Sequence, residues 1–239
     1  MDPKLDEFIQ KLKSSAGDNL KAAALYGSAA TGEFHEKHSD LNLLCILEHA
    51  DAAHLERLHA PVEWWMKRGH RAPLFFTLSE LQQSADVFAI ELLDMKTHHR
   101  MLLGEDIFPD LAVPLRYHAI QVERELRTNW LRLRQTILTA PKKPDAYLNL
   151  MNASFSVLAV LFRHVLIALG EPPADSKRAA IERMGKFAHA DPGAFLTILA
   201  FREGKLAPRE IAIEKTLEQY FAFVEAVTDE FDRQLDARK

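Results

Sequence analysis

Residues 25–47 read LYGSAATGEFHEKHSDLNLLCIL. Several residues in this stretch are of the types that act on phosphate. Gly27 lets the backbone approach a triphosphate closely, and Ser28 offers a hydroxyl and an amide to phosphate oxygens. Asp40 is a hard oxygen ligand suited to Mg²⁺. Asn42 follows two residues later, and strand alternation puts Asp40 and Asn42 on one face. Two divalent cations held there would clamp the attacking and leaving oxygens of an in-line displacement. An amide ligates a cation through its oxygen but brings no charge. Further along, Glu91 is a charge inside the apolar run VFAIELL, which needs a reason. Pairing with Arg71 or Lys96 is the plain structural reason; work at a site is the other.

The elements that must position these residues follow from periodicity. Leu5, Phe8, Ile9 and Leu12 are spaced for one helix face. Residues 22–26 and 41–47 are short apolar runs that predict two strands flanking the polar excursion. Residues 51–59 are helical in pattern. PLFFTL at 73–78 predicts a third strand, with Ser79 as N-cap of a helix over SELQQSA. VFAIELL at 87–93 predicts a fourth strand, rich in β-formers. From about residue 112 the strand signals stop. Helices are predicted over 121–139, 147–169, 175–188, 192–201 and 209–237, punctuated by PKKP at 141–144 and GEPP at 170–173. Strands and helices in separate blocks predict an α+β chain: a mixed α/β domain over 1–110, then a helical bundle over 111–239.

Gly27-Ser28 followed by Ser39-Asp40-Leu41-Asn42-Leu43 resembles the signature of the nucleotidyltransferase superfamily with the DNA polymerase β fold. The order of elements is similar to that of the small bacterial enzymes that transfer AMP to aminoglycosides. The resemblance implies a small mixed sheet, a Gly-Ser pair closing the first strand, and metal-binding carboxylates at alternate positions on the next. It also implies a third carboxylate from a later strand, as metal ligand or general base. Glu91 fits that part best, and Asp94, on the opposite strand face, is second. The implied chemistry is transfer of a nucleoside monophosphate from Mg²⁺-bound ATP or another NTP to a hydroxyl on a small molecule or a protein. Gly27 and Ser28 would hold phosphate, Asp40 and Asn42 the metal, and Glu91 the metal or the acceptor proton. Asn42 departs from the pattern. Loss of a charged ligand costs several kcal/mol, on the order of a thousandfold in rate. The alternative is therefore a degenerate relative that binds nucleotide or a protein partner without turnover, such as a toxin–antitoxin-like regulatory module.

Composition narrows the classes. The net charge of −4 and pI of about 6.3 give no global attraction to nucleic acid or anionic membranes. The single cysteine, Cys45, lies in an apolar run, which points to a structural thiol in a reducing cytoplasm and excludes an intrachain disulfide framework. The N-terminus lacks a signal-peptide core. The most apolar stretch, 155–169, contains Arg163 and His164 and reads as too short for a bilayer. A homodimer is compatible with all of this.

Other features read as structural. His98-His99 makes a poor chelate, because adjacent side chains diverge. Arg124, Arg127, Arg132 and Arg134 are interleaved with Glu123 and Glu125, as on a solvated ion-paired face. Arg183 and His189 match by spacing the Arg-to-His pattern of helical ribonuclease domains found beside minimal nucleotidyltransferases, a spacing that is common by accident. Phe34, Trp64 and Trp65 serve equally as core or as pocket wall.

Overall fold

The structure is a computed structural model that describes residues 3–30 and 41–238. The chain divides into two compact units, Met1–Pro114 and Leu115–Lys239.

The first unit is a four-stranded mixed sheet with helices on both faces. Its elements are α1 (Pro3–Ala16), β1 (Leu20–Tyr26), β2 (Asn42–Leu47), α2 (Ala52–Glu56), α3 (His59–Met66), β3 (Leu74–Thr77), α4 (Leu78–Gln83), α5 (Ala89–Thr97) and β4 (His99–Leu103). The strand order is β3-β2-β1-β4. β1 runs antiparallel to β2 and β4, and β2 runs parallel to β3. Side chains of β1 and β2 alternate between two apolar clusters, as pleating requires. Ala23, Leu25, Leu43, Cys45 and Leu47 pack with Leu5, Phe8 and Leu12 of α1 and with Trp65 of α3. Ala22, Ala24, Leu44 and Ile46 pack with Leu81 of α4, Leu92 and Met95 of α5, and Phe108 and Leu111. A register shift between Leu20 and Ala22 puts Leu20 on the α1 face. Cys45 is fully buried, and burial pushes its thiol up to about 12. That is the structural thiol expected.

Two expectations are corrected here. The segment around 87–93 is no strand. Residues 89–97 form α5, and its buried Ala89, Leu92 and Met95 recur at helical spacing. The β-forming Val87 and Phe88 are exposed ahead of it. A continuous apolar run does not declare its period, and here the helix period won. The fourth strand is instead HRMLL at 99–103. The N-cap of α4 is Thr77, not Ser79. Thr77 accepts from the Glu80 amide, and Glu80 reaches back to the Thr77 amide, a reciprocal box that starts the helix two residues early.

The second unit is all helix: α6 (His118–Thr139), α7 (Pro144–Ala168), α8 (Lys177–Phe187), α9 (Gly193–Arg202) and α10 (Ile213–Asp236). Phe195 of α9 lies at its centre, stacked on Tyr220 at 4.1 Å and tilted against Phe162 at 5.0 Å and Phe223 at 5.2 Å. Arg202 ties α9 to α7 by donating to the Asn152 carbonyl and side chain and to the Ser156 hydroxyl. α7 runs 25 residues and is long and apolar enough to cross a membrane by length and composition, so the expected length argument fails. Its inward residues Phe155, Leu158, Phe162 and Val165 are nonetheless buried within the bundle.

Candidate functional site

The sheet topology gathers several segments at one end. Because β1 and β2 are antiparallel, the last residue of β1, Tyr26, pairs with the first residue of β2, Asn42. Tyr26 also pairs with His99 at the start of β4. β3 runs parallel to β2 with Leu74 opposite Leu44, so the residues leading into β3 arrive at the same end.

The chain leaves β1 through a tight turn over Gly27–Ala29, with the Ala30 amide donating to the Gly27 carbonyl at 2.9 Å. Gly27 has φ +76°, in the left-handed region that glycine enters without strain. A Cβ on Gly27 would lie 3.4 Å from Asn42 Nδ2, so the Asn42 amide sits directly against the turn. Gly27 and Asn42, 15 positions apart in sequence, are therefore side by side. Ser28 lies in the same turn. Asp40 lies outside the described residues, as do Glu33, Phe34, Glu36, His35 and His38.

Alternation puts Tyr26 and Asn42 on the sheet face covered by α4 and α5. Tyr26 packs against that cluster. Glu91 is exposed in the first turn of α5, on the same face. The Tyr26 hydroxyl titrates above its ordinary value, chiefly through burial and then through the Glu91 carboxylate; the Arg71 guanidinium opposes the rise. Glu91 and Arg71 thus both act on the residue next to the Gly27 turn. Glu91 reaches this end from a helix rather than from the expected strand. Asp94 then follows by three residues on the neighbouring turn, on the same side as Glu91 rather than opposite it. β3, beside β2, carries no carboxylate: its sequence is LFFT.

Lys96, the other basic residue considered for Glu91, is engaged elsewhere. Its ammonium donates to the carbonyls of Pro109 and Leu111 at 3.1 and 2.8 Å, strapping the segment after β4 to α5. His99 bonds to the Met95 carbonyl and to Asp106, which leaves no chelate with His98. Among the described residues no three His, Cys, Asp or Glu side chains stand together as a metal cluster. Trp65 is core, stacked between Phe8 and His70 at 4.5 and 3.8 Å. Trp64 is half-buried with the Arg68 guanidinium over its ring at 3.7 Å. Arg127 pairs with Glu123 and Asp232, and Arg134 with Glu225, as a solvated ion-paired face would. Arg183 pairs with Glu171.

Sequence reasoning missed Tyr26. Its signal was its place directly before Gly27, which makes it the cross-strand partner of the first residue of β2.

No family model matches the sequence, and no curated protein matches it. Solved structures do. The crystal structure of spectinomycin adenyltransferase AAD(9) from Enterococcus faecialis with ATP and spectinomycin superimposes with a TM-score of 0.57. The likeness covers 95% of this chain and 98% of that one, at 15% identity. The chain shares the fold of that adenyltransferase. It is the α+β arrangement of a small mixed-sheet domain followed by a helical bundle. A crystal structure of a toxin–antitoxin with AMP-PNP aligns over 42% of this chain and 74% of that one at 16% identity. Its TM-score of 0.30 carries no argument about this chain.

Proposed function

We propose that the chain binds a nucleoside triphosphate at the Gly27 end of the sheet and transfers its nucleoside monophosphate to a hydroxyl acceptor. The supporting observation is the placement of the Gly27 turn against Asn42, with Glu91 on the same sheet face. In the transfer, the acceptor oxygen bonds to the α-phosphorus as the bond from that phosphorus to the bridging oxygen breaks. Pyrophosphate leaves, and the acceptor proton goes to a base.

Gly27 and Ser28 hold phosphate through backbone amides, at a turn whose left-handed φ at position 27 favours glycine. The donors available for a cation are all oxygens: the Asp40 and Glu91 carboxylates and the Asn42 amide. Such a set suits Mg²⁺ in kind. When bound, that ion would neutralise charge on the transferring phosphoryl group. Glu91, exposed at the head of α5, is placed to take the acceptor proton or to ligate the ion. Orientation of the two substrates supplies much of the remaining rate. A nucleotide and a small hydroxyl-bearing acceptor are the partners that the fold likeness to an adenyltransferase supports.

Asn42 favours a second reading, in which the chain binds nucleotide but turns over weakly or not at all. The test is pyrophosphate release from ATP with a panel of hydroxyl-bearing acceptors, for the natural chain, Asp40→Ala and Asn42→Asp. Turnover by the natural chain that disappears in Asp40→Ala establishes the enzyme. Turnover in Asn42→Asp alone, higher by on the order of a thousandfold, establishes the degenerate binder. Release by neither rules out the transfer chemistry. In an active natural enzyme, an Asn42→Asp rate equal to the natural one would refute the role given to Asn42.

A further inference from the structure

The described sheet ends on β3 at one side and on β4 at the other. Native edge strands are commonly blunted by charge. β4 carries Arg100, whereas β3 reads LFFT, without a charge. The last residue of β3 shows which of its backbone groups face outward. The Thr77 amide donates to the Glu80 carboxylate at 2.8 Å, so Thr77 turns its backbone away from β2. Backbone groups alternate sides along a strand, so Phe75 also turns its N–H and C=O outward.

The surface around this edge is apolar. Six large apolar side chains are exposed among the described residues of the first unit, and four of them, Leu55, Leu74, Val87 and Phe88, sit on or beside β3. Leu55 of α2 and Val87 line one groove with Phe75 and Phe76. Phe88 meets Phe76 with ring centroids 6.4 Å apart. The four side chains are 38% to 60% exposed. At roughly 200 Å² for a whole large side chain, they present, with the half-buried Phe75 and Phe76, roughly 400 Å² of apolar surface. Interfaces are about 57% apolar, so a contact built on this patch covers roughly 700 Å² on each partner and roughly 1,400 Å² in all. That lies within the range of about 1,200–2,000 Å² of specific interfaces. Among the described residues lining the groove Glu80 alone is charged, and its carboxylate is engaged in capping Thr77. Such a groove offers little to a strongly charged partner and sets no like charges against each other when it meets its own copy.

We propose that β3 is a dimerisation edge, on which a second copy of this chain docks its own β3 antiparallel about a two-fold axis at Phe75. Self-pairing fixes the register. A two-fold axis normal to the sheet keeps each face on its own side, so residues opposite one another must share a face and be an even number of positions apart in sequence. An axis at Phe76 would aim the Phe75 groups at Thr77, whose amide is already used. An axis at Phe75 lets the two copies exchange both of its backbone bonds. Leu74 then lies opposite the partner's Phe76, and the two four-stranded sheets become one. This assembly stands whether or not the chain binds a nucleotide.

The test is sedimentation equilibrium of the full chain, for the natural protein, Leu55→Lys, Val87→Lys and Leu138→Lys. Leu138 lies on α6 and is 83% exposed, so its variant controls for added charge away from the edge. The natural chain is expected to be dimeric at about 100 μM and to dissociate on dilution toward about 1 μM, as an interface of this modest size implies. Leu55→Lys and Val87→Lys are each expected to weaken association at least about tenfold, because a charge enters the apolar contact. Leu138→Lys should match the natural chain, and unchanged melting of all three shows that the fold is intact. Hydrogen exchange at the Phe75 amide should slow as the natural chain is concentrated through the same range. A natural chain that is monomeric at about 100 μM overturns the proposal. A dimer that withstands both edge substitutions, or that Leu138→Lys weakens as much as they do, places the contact elsewhere and also overturns it. A dimer in which exchange at Phe75 stays independent of concentration refutes the strand pairing.

Discussion

Gly104→Ala is expected to be among the most damaging single changes in the first unit, although it adds one methyl group. Gly104 ends β4 with φ +76°. An L-residue held there costs about 1–2 kcal/mol in backbone strain. A Cβ at this position would also lie 2.2 Å from the Lys21 carbonyl oxygen and 3.0 Å from Ala22 Cα. Both are backbone atoms of β1, so no rotamer relieves the clash and the β1–β4 pairing must spread. Overpacking of this kind costs about 1–3 kcal/mol or more. The sum is about 2–5 kcal/mol, a large share of a typical folding free energy of about 5–15 kcal/mol. Gly69→Ala is the control. Gly69 has φ +87°, yet nothing lies within 4 Å of its Cβ position, so it carries the strain without the clash. Urea unfolding of the two variants, read by a probe in the first unit, should show Gly104→Ala less stable than Gly69→Ala by about 1–3 kcal/mol. Equal losses would refute the steric argument and the close approach of β4 to β1.

Three further outcomes follow from the structure. His118 is buried and bonded at 2.9 Å to His164, and burial, with the neighbouring His164, lowers its pKa from 6.5 to about 4. The unfolded chain then takes up a proton that the folded chain refuses, so stability is full above pH 6.5 and falls as pH drops toward 4. The loss reaches about 3 kcal/mol; urea midpoints at stepped pH should flatten in His118→Gln. Phe195→Ala removes the ring that Tyr220, Phe162 and Phe223 surround, and denaturant unfolding should show a loss of about 3–5 kcal/mol in the helical unit. Thr77→Ala breaks the reciprocal cap of α4, and a thermal melt should record about 1 kcal/mol, or about 2–4 °C.

The legible parts of this fold were those with an unambiguous period or a hard stop. Leu5, Phe8, Ile9 and Leu12 declare α1, and Pro and Gly bracket α7. The strand–turn–strand unit around Gly27 was readable because a glycine and a two-residue alternation coincide there. The run at 87–93 was not, because Ile90, Leu92 and Leu93 satisfy both periods. Only the demand of the sheet for a covering layer settles it as helix. That error changed the relation of Glu91 to Asp94, since a helix places the two on one side. Tyr26 and Arg71 could not be placed together from sequence, because their proximity depends on the parallel pairing of β2 with β3.

The most direct test of the account is calorimetric titration with ATP, GTP, CTP and UTP, with and without Mg²⁺, of the natural chain and Asp40→Ala. The account predicts Mg²⁺-dependent binding of at least one nucleotide that Asp40→Ala abolishes. No binding of any of the four at about millimolar concentration would contradict it.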